Sequence, residues 1–296
     1  MTIMTLLTKR RSKWVQSRQD VILRGSRLSY NASQQAKYKA ALERLVRQMV
    51  EQTERQITKL FESETATNFY DVDMTVAMDD NLASQARILT NALSRKFEKL
   101  FGRSAPNISE RMVKGAAAAS KSSLHSSFKK LSGGLSIKTD LITPGLKTIL
   151  KASVSENVEL ISSIAEEYLS SVKKSVMRSI TTGGGLRTLI PALEKYKGIT
   201  ERKAKNIALD QTRKVYNSIN SQRMQQAGVK RFEWVHSGGG QKPRKEHIAI
   251  SGEIFSFDKL PFRDEDNPDG IIPGQAINCG CTMIPVIEFD KGEKDE

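Results

Sequence analysis

Apolar residues recur at three- and four-residue steps along most of the chain. Ala40, Leu42, Leu45, Val46, Met49, Ile57, Leu60 and Phe61 predict a helix from about residue 33 to 61, with Ser33 as its N-cap. Leu82, Ala86, Leu89, Leu93, Phe97, Leu100 and Phe101 predict a second helix from about 80 to 101, which Gly102 ends. The third stripe is the longest. It begins at Pro144, a residue suited to a first helical position, and runs through Leu146, Leu150, Val154, Val158, Ile161, Ala165, Leu169, Val172 and Val176 to the hinge-like Gly183–Gly185. A short helix over about 186–196 follows. A fourth long helix is expected from Thr200, just after Gly198, to about Ala227, with Ala204, Ile207, Ala208, Val215 and Ile219 buried and Gly228 as its left-handed terminator.

Two zones break the pattern. Gly115–Ser120 is a run of small residues, and Ser120–Ser136 holds seven serines and Gly133–Gly134, so the stretch reads as a linker or as a loose helix followed by a turn. After Gly228 the period shortens. Phe232–His236, Glu253–Phe257 and Thr282–Phe289 alternate on a two-residue step and favour β structure, with Gly, Pro and Asp clusters between them. The expected fold is mainly α: a long helical N-terminal body with a small C-terminal α+β module. The expected organisation is a basic arm (1–30), a helical body (31–198), the module (199–287) and an acidic tail (288–296).

Composition narrows the function. The chain has 296 residues, 38% hydrophobic and 27% charged, with a mean hydropathy of -0.43, which suits helices burying a narrow stripe. No apolar run approaches the roughly 18 residues of a membrane span. The charges Lys9, Arg10 and Arg11 follow the mildly apolar Met1–Leu7 rather than preceding it as in a secretory signal, so a cytoplasmic product is expected. The net charge of +14 favours polyanionic partners. It is concentrated at the start, where residues 1–50 carry eleven Lys/Arg against two Asp/Glu. Lys9, Arg10, Arg11, Lys13 and Arg18 are candidate nucleic-acid contacts; the alternative is a solvated basic arm. Cys279 and Cys281 are the only two cysteines. A bridge between such near neighbours is strained and staples almost nothing, so both are expected reduced.

An ordered series of residues carries the identity. Ala208-Leu209-Asp210-Gln211-Thr212 lies on a helix with Asn217, Asn220 and Arg223 after it. Gly228 and the strand containing Trp234 follow. Arg244 and His247 come next with two residues between them, then Gly252-Glu253-Ile254-Phe255, Pro273-Gly274, Asn278-Cys279-Gly280-Cys281 and Pro285-Val286. This series resembles the phage head-morphogenesis family typified by protein F of phage Mu, over about the last third of the chain. It departs from the family at Gly280, where a basic residue usually separates the cysteines, and at Ser237–Gly240, which lacks an acidic residue often seen there. The resemblance implies a minor structural protein of the phage head that acts in procapsid assembly, DNA packaging or genome delivery, assembled in the host cytoplasm and held in the capsid interior of the virion. It implies the portal protein as partner, with scaffold or major capsid protein and packaged DNA as further ones, and no catalysis.

The chemistry-bearing residues have bland and sharp readings. His247, Cys279 and Cys281 have the ligand types of a structural zinc site, with His236 or a carboxylate such as Asp258 as a fourth ligand. Alternatively the cysteines pack as small hydrophobes and His247 hydrogen-bonds a backbone carbonyl. Arg244 and His247 beside β structure also fit a metal-dependent nuclease on a DNA-associated virion protein, but Asp264, Glu265, Asp266 and Asp269 read as an exposed loop rather than a metal cradle. Asp210 is placed to pair with Lys214 at four residues. Asp210, Gln211, Thr212 and Arg223 read as an exposed helix face that docks on the module, and Trp234 as the module's core. Neither glycine run is a phosphate loop, since no Lys-Ser/Thr pair follows.

If the arm binds DNA, replacing Arg10, Arg11, Lys13 and Arg18 together with Glu weakens retention on a DNA column, most steeply at low salt. Unchanged retention would remove the arm from DNA binding.

Overall fold

The computed structural model describes residues 21–68, 75–132, 134, 139, 141–238 and 243–289. In chain order it contains β1 (Val21–Arg24), α1 (Ala32–Asn68), α2 (Thr75–Leu131), α3 (Pro144–Thr181), α4 (Gly185–Gln226), β2 (Arg231–Val235), α5 (Lys245–Ala249), β3 (Ile254–Ser256) and β4 (Thr282–Phe289). The mainly helical fold with a small C-terminal strand module is therefore present. The chain divides into two compact units. One holds Met1–Gln35, Met112–Ser153 and Leu209–Glu296, the other Ala36–Arg111 and Val154–Ala208.

Among the described residues the second of these units consists of helical segments and the turn at Thr182–Gly184. Leu42, Val46, Met49, Ile57, Leu93, Phe97, Phe101, Ile161, Ala165, Val172, Leu189 and Ala204 are buried, which is the fate the stripes predict. Polar cross-links fix the register of the stripes. The Tyr38 hydroxyl donates to Asn157 Oδ1 at 2.7 Å, joining α1 to α3. Lys203 Nζ donates to Ser163 Oγ at 3.0 Å and pairs with Glu167 at 2.6 Å, joining α4 to α3. Burial holds the Glu54 carboxyl above its ordinary pKa of 4.5, against the pull of Lys197.

Several boundaries differ from the sequence-based ones. Asn31, not Ser33, caps α1: its Oδ1 accepts from the backbone N–H of Ser33 and Gln34 at 2.9 and 3.3 Å. Gly102 does not end α2, which continues past Pro106 and through the small-residue run to Leu131. Pro106 deprives the Gly102 carbonyl of its helical partner. Burial nevertheless continues without a gap through Phe101, Ala105, Ser109, Met112, Ala116, Ser120 and Leu124, and that burial outweighs the local break. The stretch before the turn at Ser132 is thus helix rather than linker. Likewise α4 is one helix through Pro191 and Gly198, so residues 198 and 199 are not separated by a break. Thr200 is no cap; its hydroxyl donates back to Tyr196 O at 2.8 Å. Pro144 does open α3, with Thr143 Oγ1 accepting from Leu146 N at 3.3 Å, and Gly228 is left-handed at φ 84°.

The other unit carries a four-stranded antiparallel sheet in the order β1-β4-β2-β3. β1 lies within the segment expected to be a basic arm. Val21 pairs with Phe289 and Arg24 with Val286, and Glu288, expected in the acidic tail, lies within β4 and pairs its carboxylate with Arg231. Past the strand, Leu28 N donates to Met283 O at 3.0 Å and the Leu28 side chain is wholly buried. Ser127 on α2 clasps this segment, accepting from Ser26 N at 2.9 Å and donating to Ser26 O at 3.0 Å.

A solvated arm would tolerate truncation at position 28. As a core residue, Leu28→Ala lowers stability by about 2–5 kcal/mol, read from the midpoint shift in urea unfolding at unchanged slope.

Candidate metal centre

The site is built on the end of α4, the sheet, and the long excursion between β2 and β4. In β2, Phe232 and Trp234 face inward and are completely buried. Trp234 exchanges backbone hydrogen bonds with the far side of the excursion, donating to Glu253 O at 2.9 Å and accepting from Gly252 N at 2.8 Å. Gly252 sits at φ 95° with open space where a side chain would be, so its backbone conformation is what the turn requires. Between these points α5 carries His247 inward. Arg244 occupies the N-cap position of α5, and its guanidinium donates to Ile277 O at 3.1 Å, which ties α5 to the loop before the cysteines.

His247, Cys279 and Cys281 are all buried, with relative exposures of 4%, 4% and 3%. Their ligand atoms lie within 4.8 Å of one another. His247 Nδ1 is 3.4 Å from Cys279 Sγ and 3.7 Å from Cys281 Sγ. The imidazole is held by rings on two sides: Phe262 stacks on it at 4.8 Å and the edge of Trp234 meets it at 5.1 Å. Both thiols are free. The two sulfurs share a proton unequally. The hydrogen bond from Cys281 pulls Cys279 down to about 5, while the same bond and burial push Cys281 well above the ordinary thiol range.

The cysteine loop is anchored to α4. Asp210 Oδ1 accepts from Asn278 N at 2.6 Å, and Asp210 Oδ2 pairs with Lys214 at 3.0 Å, as the four-residue spacing predicts. Asn217 Nδ2 donates to Cys281 O at 3.3 Å. Gly274 lies at φ 81°, and a Cβ there would meet Asn217 Nδ2 at 2.3 Å, so the chain passes where only glycine fits. At Gly280 a Cβ would lie 3.4 Å from Arg213 Nη1. A cation from α4 thus stands beside the position that has none of its own.

The sequence-predicted residues divide accordingly. His247, Cys279 and Cys281 converge, and Trp234 is core. Gln211, Thr212 and Arg223 are buried rather than on an exposed face. Arg223 Nη1 donates to Ala117 O at 2.8 Å and Ser120 Oγ at 3.0 Å, which explains the small residues there. His236 and Asp258 do not join the cluster; His236 Nδ1 accepts from Gly238 N at 3.1 Å, and Asp258 is exposed. Asp264, Glu265, Asp266 and Asp269 are exposed, with Asp264 Oδ1 accepting from Asn267 N at 2.7 Å. Lys9, Arg10, Arg11, Lys13 and Arg18 lie outside the described residues. Arg213 and Phe262 were not singled out from sequence. Phe262, at φ 58°, gives no local signal of its position against His247.

Residues 170–284 match the family described as phage Mu protein F like protein. An uncharacterized protein of Haemophilus influenzae is 27% identical over 215 residues, covering 71% of this chain and 46% of the relative. The chain thus matches less than half of that relative's length. No solved structure matches. Among the described residues no helix is long and apolar enough to cross a membrane.

Gly274→Ala forces a side chain into the left-handed region and against Asn217, and lowers stability by about 1–3 kcal/mol. Asp210→Ala removes the acceptor for Asn278 N and costs less, about 0.5–1.5 kcal/mol, because water can reach that N–H. Denaturant midpoints measure both, and a shift near zero in either would detach α4 from the cysteine loop.

Proposed function

We propose that this chain, whose residues 170–284 match the phage Mu protein F like family, is a head-morphogenesis protein: a minor structural component of a tailed-phage head that docks on the portal during assembly and stays in the capsid interior. The observation that carries this reading is where the match falls. It covers the end of α3, all of α4 and the module through Met283 and Ile284 of β4, the segment that builds Trp234, His247 and the two cysteines into one buried cluster.

The role is structural. Among the described residues the His/Cys/Asp/Glu grouping is the single set of two sulfurs and one nitrogen, a soft set unlike the oxygen ligands of magnesium-dependent phosphodiesterases. The module supplies a rigid, cross-braced platform, and the long helices supply extended polar faces for contacts with portal, scaffold or major capsid protein. The net charge of +14 suits a neighbour of packaged DNA.

Mixing the purified chain with the portal protein of its own phage and running size exclusion tests the reading. Co-elution in a defined ratio is expected. Separate elution, together with plasmid nicking that needs added Mg²⁺ or Mn²⁺ and disappears in His247→Ala, would replace it with a nuclease.

A further inference from the structure

We propose that His247, Cys279 and Cys281 bind one zinc ion through two thiolates and one imidazole. The argument begins with spacing. In a tetrahedral zinc centre with bonds of about 2.3 Å to sulfur and about 2.0–2.1 Å to nitrogen, sulfur and nitrogen ligands lie about 3.6 Å apart. Here His247 Nδ1 stands 3.4 Å from one sulfur and 3.7 Å from the other. Those separations bracket the tetrahedral value, and no ligand atom of the three is farther than 4.8 Å from another.

A hydrogen-bonded chain would run from Nδ1 to one sulfur and from the Cys281 thiol to Cys279. Nδ1 has one lone pair or one proton, so it serves one thiol well and not two. Both sulfurs nevertheless converge on it, and all three groups are more than nine-tenths buried. A cation among them uses every donor at once. The donor set selects the ion: thiolate with imidazole suits zinc and disfavours magnesium or calcium. A disulfide is the poorer use of the pair, since residues separated by one position close a strained ring.

The site would also do mechanical work in the module. His247 comes from α5, Cys279 from the loop anchored by Asp210, and Cys281 from the residue before β4. One ion therefore closes the excursion between β2 and β4 at its two ends. Phe262 and Trp234 already hold the imidazole plane, so little ordering of that ligand remains for the metal to impose. The site does not depend on the head-assembly reading, and its test involves no phage component.

The full-length chain, reduced and stripped with a chelator, is titrated with cadmium as a spectroscopic probe and with zinc. Thiolate-to-cadmium absorption that saturates at about one equivalent per chain is expected, and zinc raises the melting midpoint. Cys281→Ser and His247→Ala weaken uptake by more than about a hundredfold, beyond what loss of a merely supporting residue costs. His236→Ala, which lies outside the cluster, keeps full uptake. Should the ligand variants not fold, the wild-type titration and melt decide alone. A wild-type chain that shows no thiolate absorption and melts at one temperature with and without zinc overturns the site. Uptake that persists in both ligand variants, or that vanishes in His236→Ala, overturns it equally.

Discussion

Strand β4 has a partner along each edge, and that double pairing is the constraint on which the module rests. On one side it takes β1 from early in the chain, on the other β2 from just after α4. An eight-residue strand with backbone partners on both edges has little freedom of register, because a one-residue slip would exchange its faces and move Met283 and Ile287 to the side that holds the half-buried Ile284 and Glu288. Fixing β4 fixes Cys281, the residue before it. Fixing β2 fixes Trp234, whose backbone groups reach Gly252 and Glu253 and so set where α5 returns His247. The geometry of the buried cluster is in this sense a property of the sheet.

The helical side of that unit braces the same loop with polar groups. Asp210 and Asn217 lie seven residues apart on α4, about two turns, and therefore on one face. One accepts from the backbone at Asn278 and the other donates to the backbone at Cys281. Cys279 lies between those two anchors. The Asn217 contact is buried and the Asp210 contact lies at the surface; each brings modest net stability, and leaving the buried one unmade costs the desolvation of its partner. They therefore specify one loop conformation more than they add to stability. Arg223 does the same six residues further on, where its guanidinium reaches the backbone of α2 at Ala117 through a surface kept small at Ala116, Ala117 and Ser120.

What could be read in advance follows from how local each cause is. Pro144 at a helix start, Gly228 past a helix end and Asp210 paired with Lys214 depend on the nearest few residues, and all three are found. Gly102, Pro106, Pro191 and Gly198 send the same kind of local signal and are overruled, because the buried stripe runs on through them. Val21–Arg24 is too short to show a period, and its partner lies at the other end of the chain. Gln211, Thr212 and Arg223 read as an exposed face docking on the module, yet all three are buried; the sequence around Arg223 does not announce that its partner is the distant carbonyl of Ala117. The ligand trio was legible by residue type; its convergence on one nitrogen was not, because it depends on Trp234, Phe262 and the return at Gly252.

The pairing of Val21 with Phe289 also bears on how the chain emerges from the ribosome. Helices form from local contacts and can appear as soon as they are made, whereas closing the loop from Val21 to Phe289 must wait for β4. Until β4 is synthesised, β1 and β2 have no neighbour between them and each presents an open edge. Before β4 is made, β2 can pair only with β3, and β1 has no strand beside it. Any early partner able to add a strand would meet the module at that stage, and the arrival of Thr282–Phe289 ends it.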